Sequence, residues 1–374
     1  MCPGPSVTDR YTFRTLAPEL TPLVGKTTAE LRELAANLGE RPFRGGQLAN
    51  WVYKRHAATV DEMVDLPAAF RAKLSAGHAV TTLVESAHRR STDGVDKLLL
   101  HNGDGQVYEC VLLPYEDRVS CCLSSQVGCP MGCTFCATGL GGFDRDLGVD
   151  EIVGQYLWLQ RISPRRISHV VFMGMGEPLL NLKNVVKTLN VLHEEVGLSY
   201  RHMTVSTVGL APQILELAKL GLPIHLALSL HSAVDEVRSR LMPVNHRWPV
   251  AEVWGAMKKY HQATGRKLTV EYLLIDHVND TVDQARALAK LVKGTPTVVN
   301  LIPFNYVDTD QGFKRPTKER VRAFRSVLEA ERVNVTERVE RGHDIAAACG
   351  QLAGQHTGRF ARRAQASTLP LASG

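Results

Sequence analysis

The sequence predicts an α/β protein built on a parallel sheet, open or curved toward a partial barrel, with a small helical module and a short β extension ahead of it. Three observations carry that expectation. From about residue 117 onward, short β-rich runs alternate with helical segments. Three helical stretches come before residue 80, where no strand pattern has begun. Between residues 80 and 115, β-formers cluster around the Asn102-Gly103 turn signal. With 374 residues, of which 44% are hydrophobic, the chain can bury one large core and a smaller one.

The elements follow in chain order. Residues 1–20 read as a flexible, Pro-rich tail. In the helical module (21–80), Thr27 to Glu30 has the form of a capping box ahead of AELRELAANL, and Gly39 supplies a stop. QLANWVYKRH and PAAFRAKLSA complete the module. The β extension (81–115) holds VTTLVESAHRR, DKLLLHN and QVYECVLL. The core (116–345) contains the strands RVSCCLS, HVVFMG, HMTVST, IHLALSL, LTVEYLLI and VVNLIPF. Between them lie the helices EIVGQYLWLQ, NVVKTLNVLHEEV, APQILELAKL, AEVWGAMKKYHQ and DQARALAKLVK. A late helix, KERVRAFRSVLEAE, and a further strand, NVTERVE, lead to the AAACGQLAG loop and a frayed tail in the last section (346–374). In such a sheet, functional residues lie on loops at the C-terminal strand ends.

The 44 Lys+Arg against 38 Asp+Glu leave +6, a modest excess that suits a phosphate-bearing partner and many small-molecule enzymes alike. The opening MCPGPSVTDRYTFRTLAPEL lacks a basic segment followed by an apolar one, and no apolar run has the length of a membrane span. The expectation is a cytoplasmic protein without a membrane partner. In a reducing compartment, eight cysteines with three packed into CPMGCTFC serve metal or redox chemistry more readily than crosslinking.

Cys129, Cys133 and Cys136 lie in a loop after the first core strand, where Gly128, Pro130 and Gly132 bend the backbone. Thiolates at this Cys-x3-Cys-x2-Cys spacing can hold three irons of a 4Fe-4S cube and leave the fourth iron open to a small molecule. The alternative is a structural zinc site closed by Cys121 or Cys122. Zinc sites usually pair Cys-x2-Cys knuckles and this run has one, so the spacing favours the cube. Buried packing cysteines fit least, with three in eight residues.

A Cys-x3-Cys-x2-Cys loop after the first strand of a β/α repeat resembles the radical S-adenosylmethionine enzymes. The words CLSSQVGCPMGCTFC, GMGEPLLN, STVG, SLH, EYLLIDHVND, NLIPFN and RGHDIAAACGQLAG, in order across roughly residues 25 to 355, are more specific. They closely resemble the bacterial RNA adenine-C2 methyltransferases, dual-specificity enzymes acting on 23S rRNA and tRNA. The resemblance implies a partial (β/α)6 TIM-like barrel of the radical SAM type. It implies that Cys129, Cys133 and Cys136 hold a 4Fe-4S cluster whose open iron chelates S-adenosylmethionine. Gly176 and Glu177 would meet the methionine end of that cofactor, with Ser206, Ser229, Leu230, His231 and Asn305 lining its site. Without the family, GMGEP reads equally well, for Gly174 at least, as a glycine turn ending a buried strand, and His231 reads as a strand-end histidine. A dinucleotide fingerprint is set aside, because the third glycine is missing.

Adenine C2 is an electron-poor carbon with no electron pair to receive a sulfonium methyl group, and a radical route avoids this. The family implies that Cys349 takes a methyl group from one S-adenosylmethionine by displacement. A second molecule then yields a 5′-deoxyadenosyl radical that removes hydrogen from the S-methyl group. Addition to C2 joins RNA to Cys349 through a methylene bridge. Cys122 resolves that adduct, leaving a Cys122–Cys349 disulfide for cellular thiols to reduce. On an extended strand Cys121 and Cys122 face opposite ways, and the family match selects Cys122. Cys121 and Cys110 then read as packing residues and Cys2 as a tail residue. Glu109 aligns with the family's proton acceptor, although alone it would read as a solvated strand carboxylate.

The partners implied are 23S rRNA, tRNA and an electron donor such as a flavodoxin-type protein, with the enzyme a monomer. Candidate phosphate contacts are residues 54–56 (KRH), 88–90 (HRR) and 164–166 (PRR) and Arg341, with the helical module as the main RNA surface. Two rivals stay open. One is the related C8-methylating enzyme, which shares the cluster and both working cysteines; EYLLIDHVND, NLIPFN and RGHDIAAACGQLAG favour C2. The other is a zinc-stabilised RNA-binding protein without activity, which has no use for Cys349.

Overall fold

The computed structural model describes residues 20–307, 309, 311–338 and 341–352. Both expected tails, Cys2 included, lie outside the described residues apart from Leu20 and the segment up to Leu352.

Three helices come first: α1 (Thr28–Asn37), α2 (Phe43–Tyr53) and α3 (Ala68–Gly77). The capping box forms as expected, with Glu30 N–H on Thr27 Oγ1 at 3.2 Å and Thr27 N–H on Glu30 Oε2 at 2.7 Å. This satisfies two of the donors that a helix start leaves open. Gly45 lets α2 press against α1, because a Cβ there would sit 2.3 Å from the Arg32 nitrogen.

The main sheet runs β1 (Val84–Arg90), β2 (Asp96–His101), β3 (Tyr108–Pro114), β4 (Val119–Cys122), β5 (His169–Phe172), β6 (Met203–Thr207), β7 (His225–Ser229), β8 (Leu268–Leu274), β9 (Thr297–Pro303) and β10 (Asn334–Glu337). Every strand lies beside its chain neighbours in this order, β1 and β10 forming the two edges. β1 to β4 pair antiparallel; β4 to β10 pair parallel. A parallel sheet that never reverses order is a β/α repeat curling one way, an unclosed barrel rather than a doubly wound sheet. The six expected parallel strands are β4 to β9. The expected NVTERVE strand adds β10, which spans Asn334–Glu337.

The connecting helices are α4 (Val149–Ile162), α5 (Leu182–Val191), α6 (Ala211–Lys219), α7 (Asp235–Leu241), α8 (Val250–Thr264), α9 (Val282–Val292) and α10 (Lys318–Ala330). Two details depart from the sequence reading. NVVKTLNVLHEEV is not one helix: α5 gives way to a π turn, Leu192–Val196, which Gly197 ends at φ +85. Helix α7, DEVRSRL, was not expected, because seven mostly polar residues show no apolar stripe. A small antiparallel pairing of Gln126–Gly128 with Phe143–Asp146 also appears, bracketing the cysteine loop. Among the described residues no helix is long and apolar enough to cross a membrane.

Candidate active site

The C-terminal ends of the parallel strands open into a cleft. Cys129, Cys133 and Cys136 line it, together with Gly176, Glu177, Ser206, Ser229, His231, Asn305 and Cys349. Thus every expected cluster and cofactor residue except Leu230 reaches one space. Leu230 is buried behind it, its N–H on the Glu271 carbonyl at 3.1 Å.

The cysteine loop is held at several points. Cys129 N–H donates to Gly142 O at 2.7 Å, and Thr134 N–H to Leu241 O at 3.0 Å. Burial pushes all three thiols up, so each would stay protonated without a metal's charge beside it. Glu177 is buried, accepting N–H bonds from Val208 at 2.9 Å and Leu179 at 3.1 Å. Burial is the main cause that raises its carboxyl to about 7. His231 accepts the Leu273 N–H on Nδ1 at 2.9 Å, and burial lowers it to about 3, so the ring is a neutral wall of the cleft. Ser206 and Ser229 hydroxyls meet at 3.2 Å. Gly174 also lines the cleft, with a Cβ there 2.6 Å from Ser124 Oγ. The turn glycine Gly176 sits at φ +101.

The Cys349 loop is tied into this site from two sides. Toward the cysteine loop, Ala137 N–H donates to Gly350 O at 2.8 Å and Thr138 Oγ1 to Leu352 O at 3.0 Å. Toward the β extension, Lys97 Nζ donates to Ala346 O at 3.1 Å, Thr92 N–H to Asp344 Oδ2 at 3.0 Å, and Gly342 N–H to Asp93 Oδ2 at 3.1 Å. The antiparallel extension is therefore the bracket that carries Cys349 to the cleft.

A second cavity adjoins the cleft, lined by both Cys122 and Cys349 with Arg338, Asn305, Val111 and Met173. Cys122 faces it from the end of β4, whereas Cys121 is fully buried, as strand alternation requires. Burial lifts the Cys122 thiol to about 12, with the nearby Cys349 adding to the shift and Arg338 opposing it. All seven cysteines among the described residues are free thiols, Cys122 and Cys349 included. Glu109 is 3% exposed, in β3 on the same face as Val111. It pairs with Lys97 Nζ at 3.5 Å and lines neither cavity.

Several of the anticipated phosphate contacts have internal roles. Lys54 donates to Val196 O at 3.2 Å, Arg165 to Glu116 O at 2.9 Å, and Arg166 to Gly197 O at 3.0 Å. Arg341 donates to Pro114 O and ion-pairs Asp93 at 3.3 Å. Arg55 lies exposed over the Trp51 ring at 4.2 Å. Sequence reasoning missed Lys97, Glu271, Arg338 and Arg238. A charged residue inside a strand or a short polar helix carries no sign of burial; only the run of three leucines after Lys97 hinted at it.

Among the described residues, no three His, Cys, Asp or Glu side chains converge on a single ion. Cys129, Cys133 and Cys136 line one cleft, and a cube takes one iron per thiolate. Asn305 Oδ1, buried beside the same space, has no hydrogen-bond partner. An unsatisfied acceptor, a buried carboxyl and three thiols on one cleft suit a cluster with a polar, amine-bearing cofactor.

The sequence profile of the Radical SAM superfamily matches residues 123–292, and that of the ribosomal RNA large subunit methyltransferase N-terminal domain matches residues 21–80. A probable dual-specificity RNA methyltransferase RlmN of Symbiobacterium thermophilum is 46% identical over 338 residues, covering 88% of this chain and 91% of the relative. The dual-specificity RNA methyltransferase RlmN of Anaeromyxobacter sp. (strain Fw109-5) is 43% identical, covering 87% and 88%. The crystal structure of a radical SAM methyltransferase from Sphaerobacter thermophilus superposes with a TM-score of 0.87 at 41% identity, over 90% of this chain and 100% of that one. The chain belongs to the RlmN family of radical SAM RNA methyltransferases, enzymes that work with a 4Fe-4S cluster and S-adenosylmethionine.

Proposed function

We propose that this enzyme methylates C2 of adenosine in 23S rRNA and in tRNA, next to the anticodon, with Cys349 carrying the new carbon and Cys122 releasing it. The observation that carries this reading is the shared cavity: both thiols line it, and it adjoins the cleft of the three cluster cysteines. Cys129, Cys133 and Cys136 hold the cluster, and Gly176, Glu177, Ser206, Ser229, Leu230, His231 and Asn305 surround S-adenosylmethionine. When bound, these groups supply the methyl group and, by one-electron cleavage, a carbon radical that abstracts hydrogen.

Cys349 presents its S-methyl carbon to the adenine; once that carbon has lost a hydrogen atom it bonds to C2, and the adduct radical gives up one electron, which a bound cluster would accept, and the C2 proton, leaving RNA linked through S–CH2. Glu109, buried beside Lys97 and outside the lining of both cavities, is the group we assign to take up the C2 proton. The Cys122 sulfur attacks the Cys349 sulfur, the Cys349 S–CH2 bond breaks, and the methylene gains a proton to become the product methyl group. The two thiols end as a disulfide, which external thiols reduce. Arg338 lines both cavities, so its charge favours the thiolate over the thiol at Cys122 and opposes the effect of burial. The buried site requires a base taken out of its stack, as in a loop or a flipped nucleotide.

The test is nucleoside mass spectrometry of 23S rRNA and tRNA after oxygen-free incubation with reduced enzyme and S-adenosylmethionine. 2-Methyladenosine is expected; 8-methyladenosine as the main product overturns the C2 assignment.

A further inference from the structure

Arg238 is fully buried in α7, 0% exposed. Its guanidinium donates from Nε to Leu230 O at 3.1 Å, from Nη1 to Asn245 Oδ1 at 2.7 Å, and from Nη2 to Val208 O at 2.5 Å. Those partners are two strand-end carbonyls and an amide oxygen, all neutral. Among the described residues no carboxylate lies within 4.0 Å of it. Asp235, one turn earlier on the same helix, accepts from Asn245 Nδ2 at 2.9 Å and Val250 N–H at 2.8 Å.

A buried charge without a counterion is costly, and three neutral acceptors do not cancel its field. Its helix docks on the cysteine loop, with Thr134 N–H on Leu241 O at 3.0 Å and Cys133, Phe135, Leu241 and Met242 packed into one apolar cluster. This cation, with the charge of Asp235 nearby, thus lies on the helix that packs against the cysteine loop.

We propose that Arg238 sets the reduction potential of the cluster, its buried charge stabilising the extra electron of the reduced state. Three thiolates on a 4Fe-4S cube carry net charge −1 when oxidised and −2 after one electron from the donor, with no proton taken up. A fixed positive charge in a low-dielectric interior favours the more negative state. Arg238 also acts as a positioning residue: Val208 gives its carbonyl to Arg238 and its N–H to Glu177, so one residue, through its two flanking peptides, joins the cation to the carboxyl at the cofactor site. This inference rests on the assignment of the cluster to Cys129, Cys133 and Cys136, which iron analysis tests separately.

The experiment is a dithionite redox titration of reconstituted full-length protein, followed by electron paramagnetic resonance, on variants matched for iron content. Arg238→Gln keeps a polar N–H donor and removes the charge. At fixed potential its reduced-to-oxidised ratio should fall about tenfold, a shift of about 59 mV to more negative potential. Arg238→Lys should stay near the parent. If Arg238→Gln fails to fold, Asp235→Asn removes a neighbouring negative charge and should move the potential in the positive direction. A potential unchanged in every folded, iron-loaded variant, or moved opposite to these signs, overturns the proposal. A merely structural Arg238 would change melting temperature and leave the potential in place.

Discussion

Replacing Lys97 with Met should be among the most damaging single changes outside the cleft. Lys97 is 1% exposed, lies 3.5 Å from the Glu109 carboxylate and donates to Ala346 O at 3.1 Å. The change removes the positive partner of a buried carboxylate and one anchor of the Cys349 loop. Breaking a buried ion pair from one side costs about 3–5 kcal/mol. The double variant Lys97→Met/Glu109→Leu removes both charges, and an apolar pair there should recover most of the loss. Urea unfolding of the parent, both single variants and the double variant gives the coupling directly. A Lys97→Met cost below about 1 kcal/mol, the range of an exposed pair, or a double variant no more stable than the single, would refute the reasoning. Glu109→Gln, which leaves Lys97 and its hold on Ala346 in place, separates stability from chemistry. If Glu109 accepts the C2 proton, that protein folds yet forms no 2-methyladenosine.

Three further outcomes follow from the geometry. His169 and His202, at the starts of adjacent strands, stack at 4.3 Å, and His225 beside them accepts from Arg266 Nη2 at 2.6 Å. Burial, with neighbouring cations, lowers His169 and His225 below their ordinary value. Their folded values lie below the unfolded one, so stability is full above about pH 6.5 and falls as pH drops below it. Thermal unfolding from pH 7.5 to 5.5 should show that slope, and His169→Asn/His225→Asn should flatten it; equal slopes would contradict it. Cys122→Ala should accumulate RNA-linked protein on a denaturing gel, whereas Cys349→Ala should give neither adduct nor product. Tyr306 is 69% exposed beside the cavity residue Asn305, and base stacking on such a ring is worth about 1–3 kcal/mol. Tyr306→Ala should therefore weaken RNA binding about five- to 150-fold, read by filter binding at fixed salt; unchanged binding would exclude stacking there.

Much of this was legible because it is local. The strand and helix periods, the Thr27–Glu30 box and the cysteine spacing each sit in a few consecutive residues, and β4 to β9 fell where the β-rich runs lay. The opposed faces of Cys121 and Cys122 followed from strand alternation alone. What stayed hidden depends on contacts far along the chain. Nothing in DKLLLH announces that Lys97 reaches Ala346, 249 positions on. Nothing in DEVRSRL marks Arg238 as buried, since the same word on a surface would be a solvated turn. Arg165, Arg166 and Arg341 looked like phosphate ligands because a basic run reads alike whether its donors meet water, RNA or the chain's own carbonyls.

The covalent role of Cys349 is tested most directly by counting deuterium. S-Adenosylmethionine carrying a CD3 methyl group is supplied to oxygen-free enzyme and RNA, and 2-methyladenosine is weighed by mass spectrometry. A methyl carried on Cys349 loses one deuterium to the radical and regains one hydrogen from solvent, so the product methyl should hold two deuteriums. A product holding all three would mean direct transfer and contradict the role given to both Cys349 and Cys122.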